Sequence, residues 1–160
     1  MALLIGEFES SVDAKGRLAI SAAIRDQIDP KVDGKEFILV LGPDLHLWLY
    51  PDQYYRRLLA TMQPSPLPDR QTEEIGLLFA MARPLKPDAQ GRVVLPERPL
   101  KRAAIADRVM LVGIFDHIEV WPLDQWEQHV ERSMPNYGQS LYAAADRLRR
   151  QMAGLPAKQE

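Results

Sequence analysis

The chain has 160 residues, 46% hydrophobic and 26% charged, which is the make-up of one ordinary globular domain or two very small ones, not of a disordered or fibrous chain. No apolar run approaches the roughly 18 to 20 residues of a membrane span, and the N-terminus lacks a basic start followed by a long apolar stretch, so a cytoplasmic protein without membrane contact is expected. Zero cysteines exclude disulfides, thiolate zinc sites and a cysteine nucleophile, three histidines leave little for a metal centre, and a net charge of −2 argues against a uniformly basic nucleic-acid binder.

In chain order, residues 3–12 are apolar and then alternate, and 17–20 resume an extended pattern after a four-residue break, which predicts a hairpin. Asp13 can accept backbone hydrogen bonds two residues on, and Gly16 can take the positive φ that closes the turn. Ser21 is placed as the N-cap of a short helix over 22–28. Strands follow over 37–41 and 45–50, then a helix over 52–62. The three prolines of Pro64-Ser65-Pro66-Leu67-Pro68 make a stiff spacer.

Beyond the spacer the chain repeats itself. Asp13-Ala14-Lys15-Gly16-Arg17-Leu18-Ala19-Ile20 is matched by Asp88-Ala89-Gln90-Gly91-Arg92-Val93-Val94-Leu95, and His46-Leu47-Trp48-Leu49-Tyr50-Pro51 by His117-Ile118-Glu119-Val120-Trp121-Pro122. One Asp-x-x-Gly-Arg string is expected by chance about 0.04 times in such a length, so two copies in order mark an internal duplication. The second copy predicts a turn at Asp88 and Gly91, a helix starting at Pro96, strands over 109–114 and 118–121, and a helix over 123–131. A last amphipathic helix over 137–152 has Leu141, Ala145, Leu148 and Met152 along one stripe. The expected organisation is a first module over 3–62, a linker and the start of a connecting helix over 63–74, a second module over 75–132, and a C-terminal helical extension and tail over 133–160. Modules this small bury too little alone, so the two should share one core about a pseudo-two-fold axis, with both Asp-x-x-Gly-Arg turns on one face.

Turn chemistry explains the aspartates and glycines but not the arginine after each turn, Arg17 and Arg92. Charge leaves two readings open, a solvated charged face and a nucleic-acid surface. Residues 83–108 hold seven basic residues against three acids, a local +4 on an acidic chain, so an electropositive face is available. On the nucleic-acid reading Arg17 and Arg92 would reach guanine edges or phosphates, and Lys15 a phosphate; on the other, Asp13–Arg17 and Asp88–Arg92 are only local salt bridges that stabilise the hairpins. Asp13 and Asp88 would hold the turns or orient the arginines, and Arg25, Lys86, Arg98, Lys101 and Arg102 are further phosphate contacts or plain solubilising charges. Histidines 46 and 117 occupy equivalent repeat positions, which points to a shared structural role. Ser10 and Ser11 have no adjacent histidine and there is no glycine-rich phosphate loop, so no enzyme is expected, nor any cofactor or small-molecule substrate.

The doubled motif, Asp13 to Arg17 and Asp88 to Arg92, together with the module ends Leu49-Tyr50-Pro51-Asp52-Gln53-Tyr54 and Val120-Trp121-Pro122-Leu123-Asp124-Gln125-Trp126, resembles the MraZ family of bacterial transcriptional regulators, built from two SpoVT-AbrB domains. The resemblance covers about residues 1 to 132. It implies a mainly β, α+β fold in which two swapped hairpins make a pseudo-two-fold double β-barrel, here with an added C-terminal helix. It also implies a ring-shaped homo-oligomer at the nucleoid. On this resemblance the ring would bind short direct repeats of double-stranded DNA in the promoter of the division and cell-wall gene cluster, usually as a repressor that includes its own gene. The chain departs from the family pattern at Ser21, where a proline is usual, and its second turn has Gln90 where the first has Lys15. The alternative is an oligomeric scaffold or an AbrB-type antitoxin acting through protein partners.

Overall fold

The computed structural model describes residues 1–62 and 66–154. The expected spacer is therefore described only from Pro66 on, and the last six residues of the tail lie outside the described residues. The chain divides into two compact units, Met1–Leu123 and Asp124–Glu160.

The first unit holds both sequence repeats. In the first repeat come β1 (Leu4–Ser11), β2 (Arg17–Ala19), α1 (Ala22–Arg25), β3 (Phe37–Leu41), β4 (Leu47–Pro51) and α2 (Asp52–Ala60). The connecting helix α3 (Arg70–Met81) starts at Asp69, whose side chain accepts from the Thr72 N–H and caps it. The second repeat runs β5 (Arg83–Leu85), β6 (Arg92–Val94), α4 (Glu97–Arg102), β7 (Arg108–Phe115) and β8 (His117–Pro122). In the second unit, α5 (Leu123–Ser133) is followed by a 3-10 turn (Met134–Asn136) and α6 (Tyr137–Met152). The stripe of α6 is exposed, at 59% for Leu141 and 57% for Leu148.

All pairing is antiparallel, in a six-stranded sheet of order β1-β7-β8-β4-β3-β5 and a two-stranded ribbon β2-β6. Exchanging the repeats turns β1 into β5, β3 into β7, β4 into β8 and β2 into β6, and the sheet order then reads the same. Two pairings cross the axis. In the ribbon Leu18 faces Val93, its own repeat equivalent; in the sheet Trp48 faces Glu119, again equivalents. The duplication is thus a pseudo-two-fold in space.

The hairpin predicted within each repeat needs correcting. Its turn is present, closed by Gly16 N–H to Asp13 O (2.9 Å) and Asp13 N–H to Arg17 O (3.0 Å). Its two strands, however, do not form a ladder with one another. β1 pairs along its whole length with β7, from Leu4 opposite Phe115 to Ser11 opposite Arg108, while β2 pairs with β6 of the other repeat. Within the first repeat only the bridge Val12–Leu18 and a hydrogen bond from Ser10 Oγ to Ala19 O (2.6 Å) join the two arms. Alternation states which face of a strand is apolar but not which edge receives it, and crossing to the other repeat puts Leu18 and Val93 together.

Burial follows the strand patterns. β3 is apolar on both faces because both are covered: Phe37 and Leu39 enter the main core, whereas Ile38 and Val40 meet Tyr55 of α2. β4 alternates, with Leu47 and Leu49 inward. Leu18 and Val93 from the ribbon join Leu4, Leu39, Leu49, Leu111, Ile118 and Val120 from the sheet in one cluster, so ribbon and sheet enclose a single core. No ladder among the described residues closes the two sheets into a hydrogen-bonded barrel; the fold is an α+β arrangement of sheet, ribbon and short helices. Ser21 holds the N-cap position of α1 without a side-chain capping bond, and α1 ends at Arg25 rather than running to residue 28.

Candidate nucleic-acid interface

The two turns are built alike, atom for atom. Asp13 Oδ1 accepts from the backbone N–H of Lys15 (2.9 Å) and of Arg17 (2.9 Å), and Oδ2 accepts from Arg17 Nε (2.6 Å). Asp88 Oδ1 accepts from Gln90 (2.9 Å) and Arg92 (3.0 Å), and Oδ2 from Arg92 Nε (2.8 Å). The backbone bond from the following arginine does most to hold each carboxyl below the ordinary aspartate value; desolvation opposes it and the side-chain bond reinforces it. Gly16 and Gly91 take φ of 76° and 75°, the left-handed turn that the sequence assigned to glycine.

What this geometry leaves open is more informative than what it closes. Each aspartate occupies the Nε edge of its arginine, and neither Nη group of Arg17 or Arg92 bonds to a described residue. The terminal fork, the part of a guanidinium that grips two acceptors at once, is therefore left without a bond to a described residue while the aspartate holds the Nε edge. An exposed ion pair of this kind contributes little to stability.

Both forks stand on one face. Leu18 and Val93 are fully buried on the inner side of the ribbon, so their neighbours Arg17, Ala19, Arg92 and Val94 face outward. Arg17 pairs with Val94 and Ala19 with Arg92, which separates the two arginine Cα atoms by about 8 Å across the diagonal. Sequence reasoning passed over Val94, although its spacing of two from Arg92 already placed it on the same side.

The charge difference between the turns, Lys15 in one and Gln90 in the other, is offset in three dimensions. A Cβ on Gly91 would lie 2.5 Å from Cζ of Arg25, so the Arg25 guanidinium rests on the second turn, held by Nε donating to Ile20 O at 2.9 Å. At the equivalent place the first turn has an apolar neighbour, Leu100, near Gly16. One turn carries a lysine of its own, and the other borrows an arginine from the opposite repeat. Lys86 and Arg98 are exposed on the segments before and after β6, without a bond to either turn. Lys101 is engaged by Glu97 at 2.8 Å, and Arg102 donates to the Met81 sulfur.

Away from this face, the histidines sit at the other axis crossing. His46 stacks on Trp121 (3.9 Å between ring centroids) and His117 on Trp48 (4.1 Å). His117 Nδ1 bonds Asp116 Oδ1 (2.7 Å), Tyr54 donates to Asp116 Oδ2 (2.7 Å), and the Trp121 indole donates to Glu119 (3.0 Å). Burial disfavours charge on His117, but Glu119 and Asp116 outweigh it and raise its pKa. Burial and the Asp116 bond push the Tyr54 phenol up to about 12. No group of three or more metal-ligating side chains occurs among the described residues.

Comparison with known proteins shows what the chain is similar to. The family model described as "MraZ protein, putative antitoxin-like" matches residues 3–76 and 78–148. A protein of Pediococcus pentosaceus named "Transcriptional regulator MraZ" is 32% identical over 138 residues, 84% of this chain and 92% of that one. The like-named protein of Herpetosiphon aurantiacus is 34% identical over 126 residues, 78% of this chain and 85% of that one. That of Clostridium tetani is 30% identical over 128 residues, 79% of this chain and 87% of its own. Matched along nearly its whole length and carrying the doubled Asp-x-x-Gly-Arg turn in both repeats, the chain belongs to the MraZ family.

Proposed function

We propose that this protein is a sequence-specific DNA-binding transcriptional regulator that enters the major groove with its β2–β6 ribbon. One observation carries the reading: two arginines, each held at Nε by Asp13 or Asp88, stand on the outer face of a two-stranded ribbon. A two-stranded β-ribbon fits the B-DNA major groove, and an arginine fork matches guanine O6 and N7. Arg17 and Arg92 read bases; Lys15, Arg25, Lys86 and Arg98 neutralise phosphates; Gly16 and Gly91 shape the turns.

Membership of the family supplies the rest of the proposal. The target is the promoter of the division and cell-wall gene cluster, including the protein's own gene, with repression as the outcome. The protein acts at the nucleoid, in the cytoplasm, as a ring-shaped homo-oligomer on short direct repeats. Tethering many weak contacts in one ring raises affinity through effective concentration.

The test is a gel-shift and footprint titration on the gene's own upstream region at several salt concentrations, with light scattering of the same samples. Wild type should protect evenly spaced short repeats with salt-weakened affinity, and Arg17→Ala/Arg92→Ala should lose protection while its oligomer stays intact. No preference over scrambled DNA would overturn the reading. Collapse of the oligomer in the double variant would favour the scaffold instead.

A further inference from the structure

Beside the two arginines the ribbon presents an apolar side chain to solvent: Val94, 59% exposed, directly across the ladder from Arg17 and two residues along the strand from Arg92. We propose that Val94 is a base-reading residue that packs on the C5-methyl group of a thymine in the major groove, close to the base read by Arg17. The inference rests on the DNA-binding function proposed above.

Three features support it. Paired residues on one face of an antiparallel ribbon stand about 5 Å apart, against a base-pair rise of about 3.4 Å, so a ribbon that sets Arg17 on one base sets Val94 within one or two steps of it. On the floor of that groove every base offers polar atoms, and the thymine methyl is the one apolar feature, the natural contact for an isopropyl group. The surroundings of Val94 also suit DNA better than a second copy of the same face, because bringing this face against itself would oppose like-charged guanidiniums of Arg17 and Arg92.

The pseudo-two-fold makes the contact one-sided. The equivalent of Val94 in the first repeat is Ala19, which pairs with Arg92 and is too short to reach as far. The ribbon therefore reads a methyl beside the Arg17 base and none beside the Arg92 base, which gives a nearly symmetric element a direction along the duplex.

The experiment uses the full chain and the DNA fragment it protects, with each thymine replaced in turn by deoxyuridine, which removes the methyl group alone. Wild type, Val94→Ala and the β-branched Val94→Thr, which keeps strand propensity, are titrated on every fragment. One thymine, within two base pairs of a guanine whose replacement Arg17→Ala no longer senses, should cost wild type about threefold to fivefold in Kd when changed to uracil. The same change should cost Val94→Ala nothing and Val94→Thr an intermediate amount. An unchanged uracil penalty in Val94→Ala, or no such thymine for wild type, would overturn the role of Val94 while leaving DNA binding in place. Failure of wild type to prefer any sequence would overturn both.

Discussion

The sharpest consequence of the pseudo-two-fold is that Leu18 and Val93 share one space at the ribbon axis, both fully buried, directly paired and packed in the same cluster. Leu18→Val alone removes one methylene, a transfer cost of about 0.8 kcal/mol, to which the unfilled volume adds several tenths. Val93→Leu alone forces one methylene into a filled site, at about 1 to 3 kcal/mol. The double exchange, Leu18→Val/Val93→Leu, restores total volume across the axis and should cost less than about 1 kcal/mol. The coupling in the cycle should therefore be at least about 1 kcal/mol in the favourable direction. Urea unfolding followed by tryptophan fluorescence, at one fixed protomer concentration, measures all four proteins on the same footing. Strictly additive penalties would show that the two side chains do not share a volume and would refute the β2–β6 pairing.

The turn glycines should also differ. Gly16→Ala and Gly91→Ala both force a side chain into φ near 75° and should each destabilise by about 1 to 2 kcal/mol in urea unfolding, whereas only Gly91→Ala should also displace Arg25 and flatten the salt dependence of DNA binding. In β7, a Cβ on Gly113 would lie 2.6 Å from Ile5 N and 2.8 Å from Leu4 C, backbone atoms that cannot turn aside. Gly113→Ala should therefore lower stability by about 1 to 3 kcal/mol, and a neutral result would refute the close β1–β7 approach. The raised pKa of His117 means that its protonated form favours the fold: this stabilisation is complete below the unfolded value near pH 6.5 and is lost as pH rises through the folded value. Thermal unfolding at about pH 5.5 and 8.5 should show a larger alkaline loss for wild type than for His117→Asn, and equal slopes would remove the role given to Asp116 and Glu119.

The sequence by itself determined many of the elements that depend on near neighbours, although β5 (Arg83–Leu85) and the full extent of α3 (Arg70–Met81) were not legible in it. The turns at Asp13–Gly16 and Asp88–Gly91 follow from side-chain acceptors and positive-φ glycines within four residues, and β3 (Phe37–Leu41) and α6 (Tyr137–Met152) follow from unbroken local patterns. The duplication was legible too, and with it the symmetric placing of Arg17 and Arg92. Only the tertiary structure decided the partners. A strand edge offers the same amide and carbonyl row to any other edge, so local alternation placed β2 beside β1, whereas burial of Leu18 against Val93 carries it to β6. That crossing is what turns Arg17, Ala19, Arg92 and Val94 into one outward face. It also lays Arg25 of the first repeat on Gly91 of the second, a contact between residues 66 positions apart that no periodicity in either segment encodes.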